Sequence, residues 1–479
     1  MSFAAPDPRR WRALAVVCAA FFMTVLDVSI VNVALPSIGT SLHFMEKDLQ
    51  WVITAYAIAF GGFLLLGGRA ADLLGRRRVF MVGVAVFTFA SFLCGLAWSE
   101  NVLIGARALQ GLGAAIISPA ALSIVTTIFP EGSERNKALG IWGALGGSGA
   151  AVGVLAGGVL TKYLGWEWIF FVNVPVGVLV AILAPRIVPE SREVRDHTQD
   201  YAGAVTITAG LALLVYAVSE APSRHWTSTW TIVSLAIAVA LLIAFVVVES
   251  RAKDPLMPFS IFRIRTVAGA NVAGLLLGAV VFANFFLLTL YVQQVLHWSA
   301  LKTGLTFVAT AGTAILWAGL AQALVTRVGV KPVLATGFAA MIAGMLWYTQ
   351  IPVHASYASD LLPGYLLVGF SLPFTFIPVS IAALAGVERH EAGLASGLIN
   401  TAQQVGGAIG VAVTSSVLIS HSNHLLHAGT PYPAAFTSGA RWAFWVCVGI
   451  AVGGLLSSVV LVRRDELATV EAQSSPGAA

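Results

Sequence analysis

The sequence predicts an all-α membrane protein: fourteen spanning helices, two groups of six with two additional central helices between them, and both termini cytoplasmic. Three observations predict it. Of 479 residues, 58% are hydrophobic and only 10% are charged, whereas soluble domains carry about 25% charge. Apolar runs of the roughly 20 residues that a bilayer core demands recur along the whole chain. The basic residues, finally, concentrate in alternate loops. That placement accounts for the net charge of +5 without nucleic acid, because the basic groups form no single stripe.

The first helix, 12–35, follows Arg9, Arg10 and Arg12. Basic residues before an apolar run are also the pattern of a secretory leader. This run, however, reaches Leu35, contains Asp27 and is followed by no small-residue cleavage site, so it is expected to remain as a membrane helix. Runs at 50–70, 79–98, 102–128, 137–161 and 168–188 complete the first group. Polar intervals from about Pro189 to Asp200 and from Arg251 to Pro258 bracket two helices, 201–219 and 228–249, with no charge at membrane depth. The second group is 267–292, 303–326, 332–351, 359–384, 392–419 and 440–462. Internal Gly and Pro are tolerated because neighbouring helices satisfy the backbone. The expected units are thus a six-helix bundle at 1–189, a linker with two helices at 190–257, a second bundle at 258–463 and a cytoplasmic tail at 464–479.

Charge placement checks the count. With the N-terminus inside, 21 of the 27 Lys and Arg residues fall in cytoplasmic loops. Only Lys47, Lys162, Arg224, Lys302 and Arg441 fall outside, and Arg107 lies within a helix. One helix more or fewer would scramble the alternation downstream. A faint internal echo suggests duplication: Glu134-Arg135 before the fifth helix recurs as Glu388-Arg389 before the thirteenth, each followed by Ala and closely spaced Gly.

Other chemistries find no support. Cys18, Cys94 and Cys447 sit in separate apolar runs, as small core residues do. His421, His424 and His427 recur every third residue, but in what reads as the last outer loop, where a solvated segment is expected rather than a metal site. The chain has no Gly-x-x-x-x-Gly-Lys-Ser/Thr loop to cradle ATP. It also has no loop long enough for a catalytic domain, no nucleophile elbow and no zinc-protease motif. Neither enzyme activity, cofactor nor metal is expected, and transport would be driven by an ion gradient.

The second loop reads Gly68-Arg69-Ala70-Ala71-Asp72-Leu73-Leu74-Gly75-Arg76-Arg77-Arg78. Its glycines permit a tight turn and close helix approach, and Asp72 can cap a helix or pair with the arginines. A plain positive-inside loop would explain the arginines alone. The Gly-x-x-x-Asp-x-x-Gly-Arg-Arg spacing is more specific, and it resembles the signature loop of the major facilitator superfamily. Leu26-Asp27-Val28-Ser29-Ile30-Val31-Asn32-Val33-Ala34-Leu35-Pro36 resembles the first-helix motif of that superfamily's fourteen-spanner drug:proton antiporters. Arg107-Ala108-Leu109-Gln110-Gly111-Leu112-Gly113 resembles the fourth-helix motif, and Gly149, Gly153, Gly157 and Gly158 match the antiporter-associated fifth-helix motif. The Trp166–Gly177 segment, Glu249-Ser250-Arg251 with Pro255-Leu256, and Phe262-Arg263 are also similar to that family. The sequence departs from the pattern at three places. Val154 replaces a proline after the fifth-helix glycine, Glu167 replaces an arginine between two tryptophans, and Thr326 stands where the second-half loop would hold an Asp.

The resemblance implies the major facilitator fold and proton-coupled export of drugs or small amphiphilic compounds by alternating access. The expected setting is the cell membrane, with lipid, protons and a small-molecule substrate as partners and a monomer as the working unit. It favours protons over sodium, which the residues themselves do not decide. An uptake symporter or lipid translocator of the same fold is the alternative, and an intramembrane receptor or enzyme is the alternative from another class.

Asp27 is the most informative residue. A carboxylate in a spanning helix costs roughly 2.5–3.5 kcal/mol on insertion scales, so it normally faces a cavity and serves function. It lies eight residues before Leu35, about 12 Å from the outer end, while Arg107 lies six residues after Asn101, about 9 Å deep. The two intramembrane charges therefore share a depth. They form either a static ion pair or a coupling site, at which Asp27 alternately takes a proton and a cationic or polar substrate. Arg cannot release a proton at ordinary pH, so it tunes rather than carries. Gly149, Gly153 and Gly157, four residues apart, offer a smooth face, expected as tight packing or as a sliding seam between halves that Gly406 and Gly410 would match. Asn32, Tyr56, Trp142, Asn284, Asn400 and Gln404 are candidate cavity-lining residues, since amides facing lipid are costly; each could equally bond a neighbouring helix.

Overall fold

A backbone inside a bilayer finds no water to satisfy its N–H and C=O groups, so each apolar run closes its own hydrogen bonds as a helix. The computed structural model describes residues 9–44, 49, 51–130, 133–191, 201–252, 255, 257, 259–387 and 392–461. Among them are fourteen long helices. The first six are α1 (Arg10–Ser41), α2 (Trp51–Leu74), α3 (Arg76–Gly95), α4 (Glu100–Ile128), α5 (Ser133–Tyr163) and α6 (Asn173–Ile187). Two central helices follow, α7 (Tyr201–Arg224) and α8 (Thr229–Arg251). The last six are α9 (Arg265–Leu290), α10 (Val308–Val328), α11 (Val330–Tyr348), α12 (Leu362–Ala383), α13 (Ala392–His427) and α14 (Tyr432–Leu461). Thirteen of the fourteen are, with their short flanking turns, long and apolar enough to cross a membrane. The fourteenth, α5, is apolar over Val152–Tyr163, and its 31 residues give about 46 Å of length at 1.5 Å per residue.

The two groups of six pack by the same plan. In the first, α1 lies on α5 and α6, α4 on α2 and α3, and α3 on α6. In the second, α9 lies on α13 and α14, α12 on α10 and α11, and α11 on α14. Between the halves, α5 meets α10 and α12 while α13 meets α2 and α4. Of the central helices, α7 packs on both α2 and α13, and α8 packs chiefly on α7. The central pair therefore lies along one side of the junction between the halves. A Cβ at Gly62 would meet Thr208 O at 3.3 Å and the Ala212 side chain at 3.1 Å, so a glycine on α2 admits α7.

The glycine stripe of α5 serves a different contact from the sliding seam its spacing suggested. A Cβ at Gly153 would collide with Ser29 Oγ and stand 2.7 Å from Leu26 O, and one at Gly157 would stand 2.7 Å from Ile30 O. The partner is α1 of the same half. Gly406 and Gly410 press likewise on the Leu275 and Ala279 carbonyls of α9, in their own half. The face of α5 toward the other half carries Gly140 against Gln322 and Gly143 against Ile377. A four-residue period marks a smooth face but not which neighbour lies on it. The turns between α2 and α3 and between α10 and α11 each depend on a glycine at positive φ, Gly75 at 104° and Gly329 at 88°.

Other boundaries differ from the sequence expectation where helices continue beyond the bilayer core. α13 runs to His427, so His421, His424 and His427 lie on its last turns rather than in a loop, and His421 shares a hydrogen bond with Ser438 at 3.0 Å. α14 begins at Tyr432, eight residues before the expected start. The Glu388-Arg389 echo and the 464–479 tail lie outside the described residues.

Gly153→Leu drives a side chain into the α1 backbone, and overpacking of this kind costs about 1–3 kcal/mol. The expected result is a thermal midpoint several degrees lower in detergent, read by size-exclusion survival after heating. Gly312→Leu, whose Cβ meets nothing within 4 Å, should leave the midpoint unchanged.

Candidate functional site

A ring of polar side chains closes on Asp27 inside the first half. α1 supplies Asp27 and α4 supplies Arg107, and the Nη1–Oδ2 distance is 2.6 Å with side-chain exposures of 0% and 1%. Gln110, one turn after Arg107 and hence on the same face of α4, donates to Asp27 Oδ1 at 2.8 Å and accepts from Arg107 at 2.7 Å. Asn173, at the start of α6, donates to the same Oδ1 at 3.2 Å. Both amides donate to Ser91 Oγ of α3 at 3.1 Å, and Ser91 donates in turn to Phe170 O at 2.9 Å. Arg107 is held further by Val52 O of α2, at 2.9 Å from its Nε, and its guanidinium lies 4.3 Å from the Tyr56 ring centroid. Five helices thus converge on one carboxylate. Both oxygens are taken, and Asp27 is fully buried in this conformation.

The sequence placed Asp27 and Arg107 at one depth, and the structure brings them together. It left Gln110 and Asn173 without a role although both stood inside motifs singled out by spacing; three-residue spacing from Arg107 was the available signal for Gln110. Ser91 carried no signal of its own in a serine-containing apolar run.

The signature loop makes a second constellation, at the end of the bundle where α2 turns into α3. Gly68 and Asp72 are buried in the last turns of α2. Asp72 Oδ1 pairs with Arg76 at 3.0 Å, and Arg76 also donates to Ser123 Oγ at 2.6 Å. Asp72 Oδ2 crosses to the other half and accepts the Leu394 N–H at 3.1 Å. That N–H lies in the first described turn of α13. Arg77 and Arg78 face Glu190 at 3.6 and 3.8 Å. In the second half, Thr326 donates back to Gln322 O at 3.2 Å and accepts from Gln322 Nε2 at 3.3 Å, so among the described residues it bonds within its own helix.

Midway between the halves lies a cavity of about 20 Å³, bounded by Phe21, Leu122, Trp142, Gly143 and Gly146 on one side and Phe376, Ser380, Ile399, Asn400 and Gln403 on the other. Trp142 stacks on Phe21 with ring centroids 3.7 Å apart. Of the expected lining residues, Trp142 and Asn400 are in this wall. Gln404 is not: its neighbour Gln403 takes the place, because adjacent helix residues point about 100° apart. Asn32 is exposed and bonds Val28 O of its own helix at 3.0 Å. Tyr56 is buried against Arg107, and Asn284 is buried with its Oδ1 unbonded among the described residues. Gly149, Gly153, Gly157 and Gly158 are buried on α5. Among the described residues no group of three His, Cys, Asp or Glu side chains could hold a metal.

Comparison with known proteins agrees with this architecture. The puromycin resistance protein of Streptomyces alboniger is 41% identical over 460 residues, covering 95% of this chain and 91% of that protein. The cephamycin export protein of Amycolatopsis lactamdurans is 40% identical, covering 94% and 91%. Two solved structures share the fold. The human organic anion transporter MFSD10 has a TM-score of 0.67 at 15% identity, covering 94% of this chain and all of that one. The proton:xylose symporter XylE has a TM-score of 0.68 at 16% identity, covering 98% and all. The sequence pattern of the Major Facilitator Superfamily matches residues 17–411. This chain belongs to the major facilitator superfamily and is a multi-pass protein of the cell membrane.

Proposed function

We propose that the chain exports small amphiphilic compounds, of the drug and antibiotic kind named for its relatives, in exchange for protons. The observation that carries the coupling is the Asp27–Arg107 pair, with no exposed edge at membrane depth. A carboxylate kept there at such cost belongs to a working site more often than to a scaffold. On this reading Asp27 is the proton carrier. Protonation cancels its charge and leaves Arg107 on Gln110 and Val52, which already hold it. The tie between α1, α4 and α6 is thereby loosened, and the two halves rock about the junction. The Asp72–Leu394 bond acts as a latch that keeps the cytoplasmic side shut and breaks when the halves part there.

The units of this cycle are 1–189 and 258–463, with 190–257 as a linker of two helices and 464–479 as a tail; the chain works as a monomer and performs no covalent chemistry. Symport on the same fold is separated from antiport by direction. In vesicles holding a pH dye, antiport moves protons against the added cargo and symport moves them with it.

Asp27→Asn keeps the shape and can still accept from Arg107, so the protein should reach the membrane in normal amount. Its pH-gradient-driven export should fall to background in vesicle assays; unchanged export would remove Asp27 from the coupling role. Asp72→Ala takes one charged hydrogen bond from the closed cytoplasmic side, about 1.5–3 kcal/mol, which is at least a tenfold shift between closed and open forms. The expected outcome is tenfold slower efflux together with faster alkylation of a cysteine substituted for the buried Ala395.

A further inference from the structure

The cavity between the halves differs from the Asp27 ring in a way that bears on what the protein carries. No charged side chain stands in its wall. Three of its lining residues are aromatic, Phe21, Trp142 and Phe376. Of its polar side chains, Ser380 is spent on Phe376 O at 2.8 Å. Asn400 is spent at both ends: its Nδ2 donates to Ser396 O at 2.8 Å and its Oδ1 accepts from Ser118 across the junction at 3.0 Å. Gln403 remains. Its side-chain amide lines the cavity and makes no hydrogen bond among the described residues. Gln403 is partly exposed, so its amide is open to whatever enters the cavity, where about 20 Å³ leaves room for about one water.

Asp27 lies elsewhere. From Phe21 to Asp27 is six residues of α1, about 9 Å along the axis and roughly 240° around it. Its oxygens are covered by Arg107, Gln110 and Asn173. A cation brought into the cavity would shed water and meet no carboxylate in exchange. A flat neutral ring would meet rings, which favour stacked or edge-on neighbours, and a polar group on it would find the free amide.

We propose that the inter-half cavity binds neutral compounds that carry a planar aromatic ring and an amide-like hydrogen-bonding group, contacted by Trp142, Phe376 and Gln403, with Asp27 outside the binding site. This rests on the export reading and names the cargo class of that transporter. In the closed form the Trp142–Phe21 stack fills the place of the cargo ring. Opening of the junction frees the face of Trp142 and the Gln403 amide together. Proton and cargo then occupy separate places and influence one another through the movement of the halves rather than by competing for one carboxylate.

The test uses two probes with the same ring: 2-naphthamide, which is neutral, and (2-naphthylmethyl)trimethylammonium, which carries a fixed charge. Binding to the full chain in lipid nanodiscs is measured by equilibrium dialysis. The neutral probe should bind at least tenfold more tightly. Gln403→Met, which keeps the volume, should lose about tenfold for naphthamide and leave the cation unchanged. Gln403→Glu should reverse the preference, a gain that a misfolded protein cannot show. Asp27→Asn, which mimics the protonated acid, should shift both affinities by a common factor through the movement of the halves and leave their ratio within twofold. Tighter binding of the cation that is abolished by Asp27→Asn would overturn the proposal, as would indifference of naphthamide to both Gln403 variants. If proton-driven efflux is absent while the naphthamide preference and its dependence on Gln403 persist, the site stands and only the export reading falls.

Discussion

Two opposite charges in the interior of a membrane protein must neutralise one another and find hydrogen bonds for every remaining lone pair and N–H, because neither lipid nor packed protein will do it for them. Much of the first half can be understood from that demand. Asp27 and Arg107 need Gln110, Asn173, Ser91 and the Val52 carbonyl within bonding reach. Five helices must therefore come unusually close, and glycines make room. A Cβ at Gly111 would collide with the Tyr56 carbonyl of α2, and one at Gly113 would sit 2.5 Å from Phe87 N of α3. The same α4 segment thus supplies the cation, its amide partner and the bare surfaces on which neighbours settle.

The two halves share a packing plan but not a charge plan. On α1 the carbonyls of Leu26 and Ile30 receive the α5 glycines, and on α9 those of Leu275 and Ala279 receive the α13 glycines. In that register the place of Asp27 falls to Leu276. The signature loop shows the same imbalance, with Asp72 reaching across to α13 while Thr326 turns back on its own helix. Both halves keep the glycines that bring backbones together and the positive-φ turn residues Gly75 and Gly329. The first half alone keeps the carboxylates at these two positions.

Helix number was legible because bilayer thickness and loop charge constrain every segment independently. The Asp27–Arg107 pair was legible as well, since two intramembrane charges at one depth have few other partners. What the sequence left open was rotational. The α5 stripe names a face without its neighbour, and Gln403 and Gln404 are indistinguishable until the helix is set in place. Ser91 shows the limit most plainly: its role comes from the amides of α4 and α6 meeting over it, and nothing in its own neighbourhood along the chain announces that meeting. Helix ends were misjudged where α13 and α14 outrun the apolar core, because hydropathy marks the lipid boundary and hydrogen bonding continues past it.

The 80 residues between Asp27 and Arg107 also order events at the ribosome. At about 5–20 residues per second, the counter-ion is polymerised roughly 4–16 s after the acid. During that interval the leading segment must settle into the bilayer with its carboxyl group alone. The most apolar 18-residue stretch within Arg10–Leu35 has a mean hydropathy of 2.4, among the highest of the spans here, and it is what allows a nascent chain to tolerate the delay.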